Sequence, residues 1–178
     1  MAQQFKTFRS VSDAYRFIAD LGAPDRLIQH VKLVGEAADI LILHFLQLDL
    51  EFDLDWIRLG VAFHDVGKIL HPSELVEKGN RHEATGEQLL LSNNIDPKIA
   101  RCCRSHAQWQ QMECDFEELV VALADNLWKG KRNTELEERV IARVAQILNQ
   151  DYWAVFAGLD DKFEQIAATG DRRLARSI

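Results

Sequence analysis

The sequence predicts an all-α protein folded as a single compact helical bundle, and three observations carry that prediction. Apolar residues recur at spacings of three and four over most of the 178-residue chain, which is the period of an amphipathic helix. Helix-start signatures are spread along it, at Ser10, Pro24, Asp53, Asp96-Pro97, Asp115 and Thr134. Strand signals are nearly missing, with no hairpin dipeptide between alternating segments. The length suits one domain over residues 1–178, and a hydrophobic content of 47% is ordinary for a chain with a sizeable core.

The elements follow in order. Ser10, with Asp13 three residues on, opens a first helix through a capping box. A longer helix begins at Pro24, runs towards Leu48 and carries His30 near its start. Asp53-Leu54-Asp55 caps a buried helix holding Ile57, Leu59, Ala62 and Phe63, expected to stop near Gly67 with His64 and Asp65 in its last turns. The polar stretch from His71 to Gly79, with Pro72 and Ser73, reads as a loop leading into a helix that holds His82.

Asp96-Pro97 opens one helix with Ile99, Cys102, Cys103 and His106 on a shared face. Asp115 and Glu118 box the start of the next, whose stripe of Phe116, Leu119, Val120, Leu123, Leu127 and Trp128 follows the helical period, with Asp125 on the neighbouring face. Lys129 and Arg132 follow Asp125 at helical spacing. Thr134 and Glu137 form a further capping box before Leu136, Val140, Val144, Ile147 and Leu148. Trp153, Phe156, Leu159, Phe163 and Ile166 continue the packing, and residues 170–178 read as a frayed basic tail.

Composition excludes several function classes. A net charge of -7 argues against a broad footprint for duplex nucleic acid or an anionic membrane, while leaving room for a small anionic substrate bound by a few local donors. No apolar run reaches the roughly 18 residues of a membrane span, and Met1-Ala2-Gln3-Gln4-Phe5-Lys6 lacks the apolar core of a signal peptide, so the expected location is cytoplasmic. Cys102, Cys103 and Cys114 are odd in number and form no CxxC pair, which reads as core thiols and not as a disulfide framework. Monomer and homodimer both fit, since Trp109, Trp153 and Phe156 suit either core or interface.

The chemistry concentrates in histidines and acids. A lone histidine on an apolar face is usually a hydrogen-bonded core residue, so the argument rests on the set His30, His64-Asp65, His82, His106 and Asp125. Asp125 and Asp65 lie within strongly apolar helices, and a buried carboxylate needs a cation or several donors. Imidazole and carboxylate are ligands for divalent metals. Lys68, four residues after His64 and three after Asp65, rises on the same side.

In these residues the chain resembles the HD-domain superfamily of metal-dependent phosphohydrolases, with a His, a His-Asp doublet and a distant Asp on a helical core. The resemblance covers a core of about 24–132, with a C-terminal helical extension over 134–170. It implies that His30, His64, Asp65 and Asp125 hold a first ion. The extra His82 and His106 are similar to the branch that holds two metals, which implies that Asp65 bridges to a second ion on these two histidines. Arg81-His82-Glu83-Ala84-Thr85-Gly86 resembles the His-x-x-x-Gly setting of such proteins, while the Gly-Tyr-Pro signature of the cyclic-dinucleotide branch is missing.

The implied reaction is hydrolysis of a phosphoester or phosphoanhydride in a nucleotide or other small phosphorylated molecule by a metal-activated hydroxide. Two divalent ions are expected, with Fe or Mn favoured and Zn, Ni, Co or Mg compatible. Asp65 and Lys68 are the expected catalytic groups, and Lys68, Lys129 and Arg132 the expected substrate contacts, ahead of Lys131 and Arg104. Glu83 is a further proton-shuttle candidate weighed against a surface acid; His44 and His71 stay outside the ligand set. A di-iron oxygenase of the HD type, and a non-catalytic metal- or nucleotide-binding regulatory domain, are the alternatives.

Overall fold

Ser10 opens α1 (Val11–Asp20) by accepting from the Asp13 amide, while the Asp13 carboxylate accepts from the Ser10 amide. The computed structural model that shows this describes residues 4–177; the leader expectation on Met1-Ala2-Gln3, and Ile178, lie outside the described residues. Among the described residues the regular structure is helical throughout, and no helix is long and apolar enough to cross a membrane. α2 (Asp25–Gln47) has Pro24 as its N-cap and buries Leu27, Val31, Val34, Ala38, Leu41 and Phe45 along one side.

α3 (Leu54–Phe63) starts where Asp53 accepts from the Trp56 amide at 2.9 Å. It ends sooner than expected. His64 is its C-cap, Asp65 leaves helical geometry at φ -108°, ψ 9°, and Val66–Ile69 continues as a 3₁₀ turn. Close packing explains the change, because the turn is pressed on α4 (Arg81–Ser92) through two glycines. A Cβ added at Gly67 would stand 1.9 Å from the His82 carbonyl oxygen, and one at Gly86 would stand 2.9 Å from the Gly67 nitrogen. The segment expected as loop contains a second 3₁₀ turn, Pro72–Leu75.

The single helix expected after Asp96 is divided at Arg101 into α5 (Pro97–Ala100) and α6 (Cys102–Gln108). Cys102 and Cys103 are buried core thiols whose Sγ atoms donate to the carbonyls of Gly60 and Phe63. α7 (Phe116–Leu127), opened by the Asp115–Glu118 box, is buried on every side from Leu119 to Ala124 and packs on α2, α3 and α6. A helix apolar all round belongs at the centre of a bundle.

Four C-terminal expectations are corrected. α7 stops at Leu127, with Gly130 at φ +77°, so Lys129 still reaches Asp125 one turn back while Arg132 does not extend that face. α8 (Thr134–Leu148) is capped by Asn133 and not by Thr134: the Asn133 Oδ1 accepts from Leu136 and the Glu137 carboxylate accepts from the Asn133 amide. In α9 (Tyr152–Ala167) Leu159, Phe163 and Ile166 are buried, whereas Trp153 is 72% exposed, its ring beside those of Tyr152 and Phe156.

The tail is docked instead of frayed. It forms α10 (Gly170–Leu174), and Arg173, only 4% exposed, donates to the carbonyls of Leu127, Trp128 and Ile166. These oxygens lie at the C-terminal ends of α7 and α9, where unsatisfied carbonyls and the helix dipole favour a cation. Replacing Arg173 with Met should therefore lower stability by about 2–4 kcal/mol, whereas Trp153→Ser should stay within roughly 0.5 kcal/mol of wild type; urea denaturation of both variants checks the contrast.

Candidate metal centre

Asp65 stands between two groups of histidines. Its Oδ2 lies 2.9 Å from the His30 Nε2 and 3.6 Å from the His64 Nε2, while its Oδ1 lies 3.1 Å from the His82 Nε2 and 3.8 Å from the His106 Nε2. The His30 and His64 Nε2 atoms are 3.3 Å apart. The Asp125 Oδ1 joins this first group at 3.6 Å from His64 and 3.7 Å from His30. Five helices and turns thus converge: α2 brings His30, the end of α3 His64 and Asp65, α4 His82, α6 His106 and α7 Asp125.

The spacing fits metal ligation. Donor atoms about 2.0–2.2 Å from a shared ion stand roughly 3.0–3.5 Å apart in octahedral or tetrahedral arrangements, close to the separations found. His30, His64 and Asp65 offer ligand atoms all within 4.8 Å of one another, and so do Asp65, His82 and His106. The rings are also oriented for it. His64 Nδ1 is 2.8 Å from the Val61 carbonyl, His106 Nδ1 3.0 Å from the Cys102 carbonyl, and His82 Nδ1 2.6 Å from the Glu74 carboxylate. An Nδ1–H donated to each acceptor leaves the Nε2 lone pair facing Asp65.

The electrostatics ask for positive charge. Burial opposes ionisation of Asp65, yet the field of His64 and hydrogen bonds from His30 and His82 hold its carboxyl well below the usual range. Burial works the same way on Asp125, and His64 and Lys129 outweigh it. For His64 burial disfavours the cation, but the carboxylates of Asp65 and Asp125 raise its pKa. Burial together with the His64 charge pushes His106 down to about 4, so it is a neutral imidazole at ordinary pH. Metal ions take the place of such protons on ligand nitrogens.

Beside the first group a cavity of about 280 Å³ is lined by Arg26, His30, Lys68, Trp128 and Lys129, with Leu75, Leu174 and Ser177. Lys68 Nζ is 2.5 Å from the Asp65 Oδ2, and Lys129 Nζ is 3.5 Å from the Asp125 Oδ2. Trp128 packs edge-on against the His30 ring. Three cations, Arg26, Lys68 and Lys129, therefore line the cavity beside His30.

Other expected residues are placed elsewhere. Arg132 is held by Glu137, Asp160 and Glu164, tying α8 to α9, because the chain turns away at Gly130. Lys131 is exposed and Arg104 faces Glu87. Glu83, far from being a surface acid, is buried and accepts from Gln108. His71 contacts Arg81, and His44 is half-buried on α2 outside the cluster. Sequence reasoning missed Glu74, which sits in a stretch that reads only as polar loop. Arg26 was within reach, since it precedes His30 by one helical turn.

The sequence model of the HD domain matches residues 27–148, more than half of the chain. This chain belongs to the HD domain family. Relatives are distant. A tRNA (cytidine(56)-2'-O)-methyltransferase of Thermoplasma volcanium is 28% identical over 134 residues, 67% of this chain but 36% of that protein, so the chain spans about a third of its length. An uncharacterized protein of Methanocaldococcus jannaschii is 24% identical over 143 residues, 72% of this chain and 80% of the relative. No solved structure matches.

Two predictions follow from the geometry of this HD domain. Asp65→Ala should abolish all metal retention, while His106→Ala should remove mainly one ion; elemental analysis of the purified variants decides, and equal losses count against two sites. Glu74→Ala frees the His82 ring and should weaken binding of one ion about 10–100-fold, leaving the other unchanged, by metal titration.

Proposed function

We propose that this HD protein is a metal-dependent phosphohydrolase acting on a small phosphorylated molecule, a nucleotide among the candidates. The observation that carries the reading is the division of one buried carboxylate between two histidine pairs beside a cavity lined by cations. His30, His64, Asp65 and Asp125 would hold one divalent ion, and Asp65, His82 and His106 a second, with Fe or Mn favoured by the ligand types. When bound, such ions lower the pKa of a water and neutralise charge on a phosphoryl group.

The chain's own residues supply the rest. Lys68 is placed to donate to a phosphoryl oxygen next to Asp65, where charge builds during attack, and Arg26 and Lys129 draw the anion into the cavity. Trp128 and Leu75 give the organic part of the ester an apolar surface. A net charge of -7 confines cationic attraction to this pocket, which favours a small substrate over a duplex. The methyltransferase name is not carried over, because the similarity spans 36% of that protein.

The test is elemental analysis of freshly purified protein, then phosphate release from aryl phosphates and a nucleotide panel with the metal found. Turnover is expected, and Lys68→Ala should lower kcat by about 10²–10³-fold with smaller change in metal content. Metal retained without phosphate release from any of these compounds would overturn the proposal.

A further inference from the structure

The C-terminal segment has a place in the fold that its basic composition does not foretell. Leu174 and Ser177 line the same cavity as His30, Lys68 and Lys129. They are held there by three sets of contacts. Arg173 binds the carbonyls that end α7 and α9. Gly170 lies so close to Gly130 that an added Cβ would meet the Gly130 nitrogen at 2.3 Å, which joins the start of α10 to the turn that carries Lys129. Beyond the helix, Arg176 makes a two-pronged ion pair with Glu36 of α2, and its carbonyl accepts from the Gln29 side chain at 3.2 Å.

The tail is thus fixed on both sides of Leu174, and that side chain is an apolar group left 38% exposed at a cavity otherwise rich in cations. Leu174 is partly covered by the fold, and the surface it leaves open faces the cavity, where it bears on what enters. The space is about 280 Å³, just under the roughly 300–1,000 Å³ of pockets that enclose drug-sized ligands. Its lining divides into cations (Arg26, Lys68, Lys129) and apolar surfaces (Leu75, Trp128, Leu174). That division matches an anionic phosphate joined to a compact organic group.

We propose that residues 170–177 form the wall that limits substrate size, with Leu174 as the specificity-determining side chain, and that the ligand is a phosphomonoester with a compact organic part. The inference rests on the phosphohydrolase reading for its substrate class, but the wall itself is tested by binding. Inorganic phosphate occupies only the cationic end, whereas adenosine 5'-monophosphate must also place its nucleoside against the wall.

The experiment is calorimetric titration of the full chain, loaded with the metal it retains, with these two ligands separately. Leu174→Ala should strengthen adenosine 5'-monophosphate binding relative to phosphate by about tenfold, the scale on which a change in pocket size discriminates. Leu174→Trp should weaken it by a similar factor. Glu36→Ala, which releases the tail at Arg176 without replacing a residue of the cavity lining, should act in the direction of Leu174→Ala. A ratio of affinities unchanged in all three variants, a parallel shift of both ligands, or failure of the wild type to bind either one overturns the wall. Selective shifts without hydrolysis of any ester support the wall and overturn the phosphohydrolase reading instead.

Discussion

A carboxylate that is 3% exposed inside a helical bundle can keep its charge only if cations or donors surround it. Asp65 meets that condition with His30, His64, His82 and Lys68, and the local architecture serves those contacts. α3 ends at Phe63, so Asp65 is released from the helical path and its two oxygens face different neighbours. The glycines at 67 and 86 then let the following turn approach α4 closely enough to bring His82 to the Oδ1 atom. A side chain at either position would separate the two histidine groups that share Asp65.

Rigidity comes from the core behind the centre. α7 is surrounded by apolar packing and supplies Asp125, while α2, packed against it, supplies His30. The other histidines rely on hydrogen bonds at Nδ1, to backbone carbonyls for His64 and His106 and to Glu74 for His82. These bonds determine ring direction and tautomer together, which makes Glu74 as much a part of the centre as the groups it orients. Glu74 in turn accepts from the amides of Arg81 and His82, which ties the 3₁₀ turn to the start of α4.

The charge distribution reconciles an acidic chain with the anionic substrate proposed for it. Net charge describes long-range attraction, and at -7 it repels polyanions. Binding of one phosphate depends on groups within a few ångströms, and Arg26, Lys68 and Lys129 are gathered at the cavity from α2, the turn after α3 and the turn after α7. Arg173 and Arg132 have structural work elsewhere: one ends two helices, the other links α8 to α9.

The sequence by itself determined the helical class, the capping boxes at Ser10 and Asp115, the apolar stripe of α7 and the residue types that meet at the centre, because these depend on local periodicity and on which side chains bind metal. Tertiary structure decided the rest. Where α3 and α7 stop depends on the Gly67–Gly86 contact and on the turn at Gly130, neither visible in a window of neighbouring residues. Arg132 follows Asp125 at helical spacing, yet the helix ends between them and acids from two other helices claim it. The tail looked frayed because the contacts that dock it are remote in sequence; Arg173 and Arg176 reach Leu127, Trp128 and Glu36, more than forty residues away. Contacts of that range leave no period in the sequence, so only the folded chain reveals that α10 brings Leu174 to the cavity beside His30.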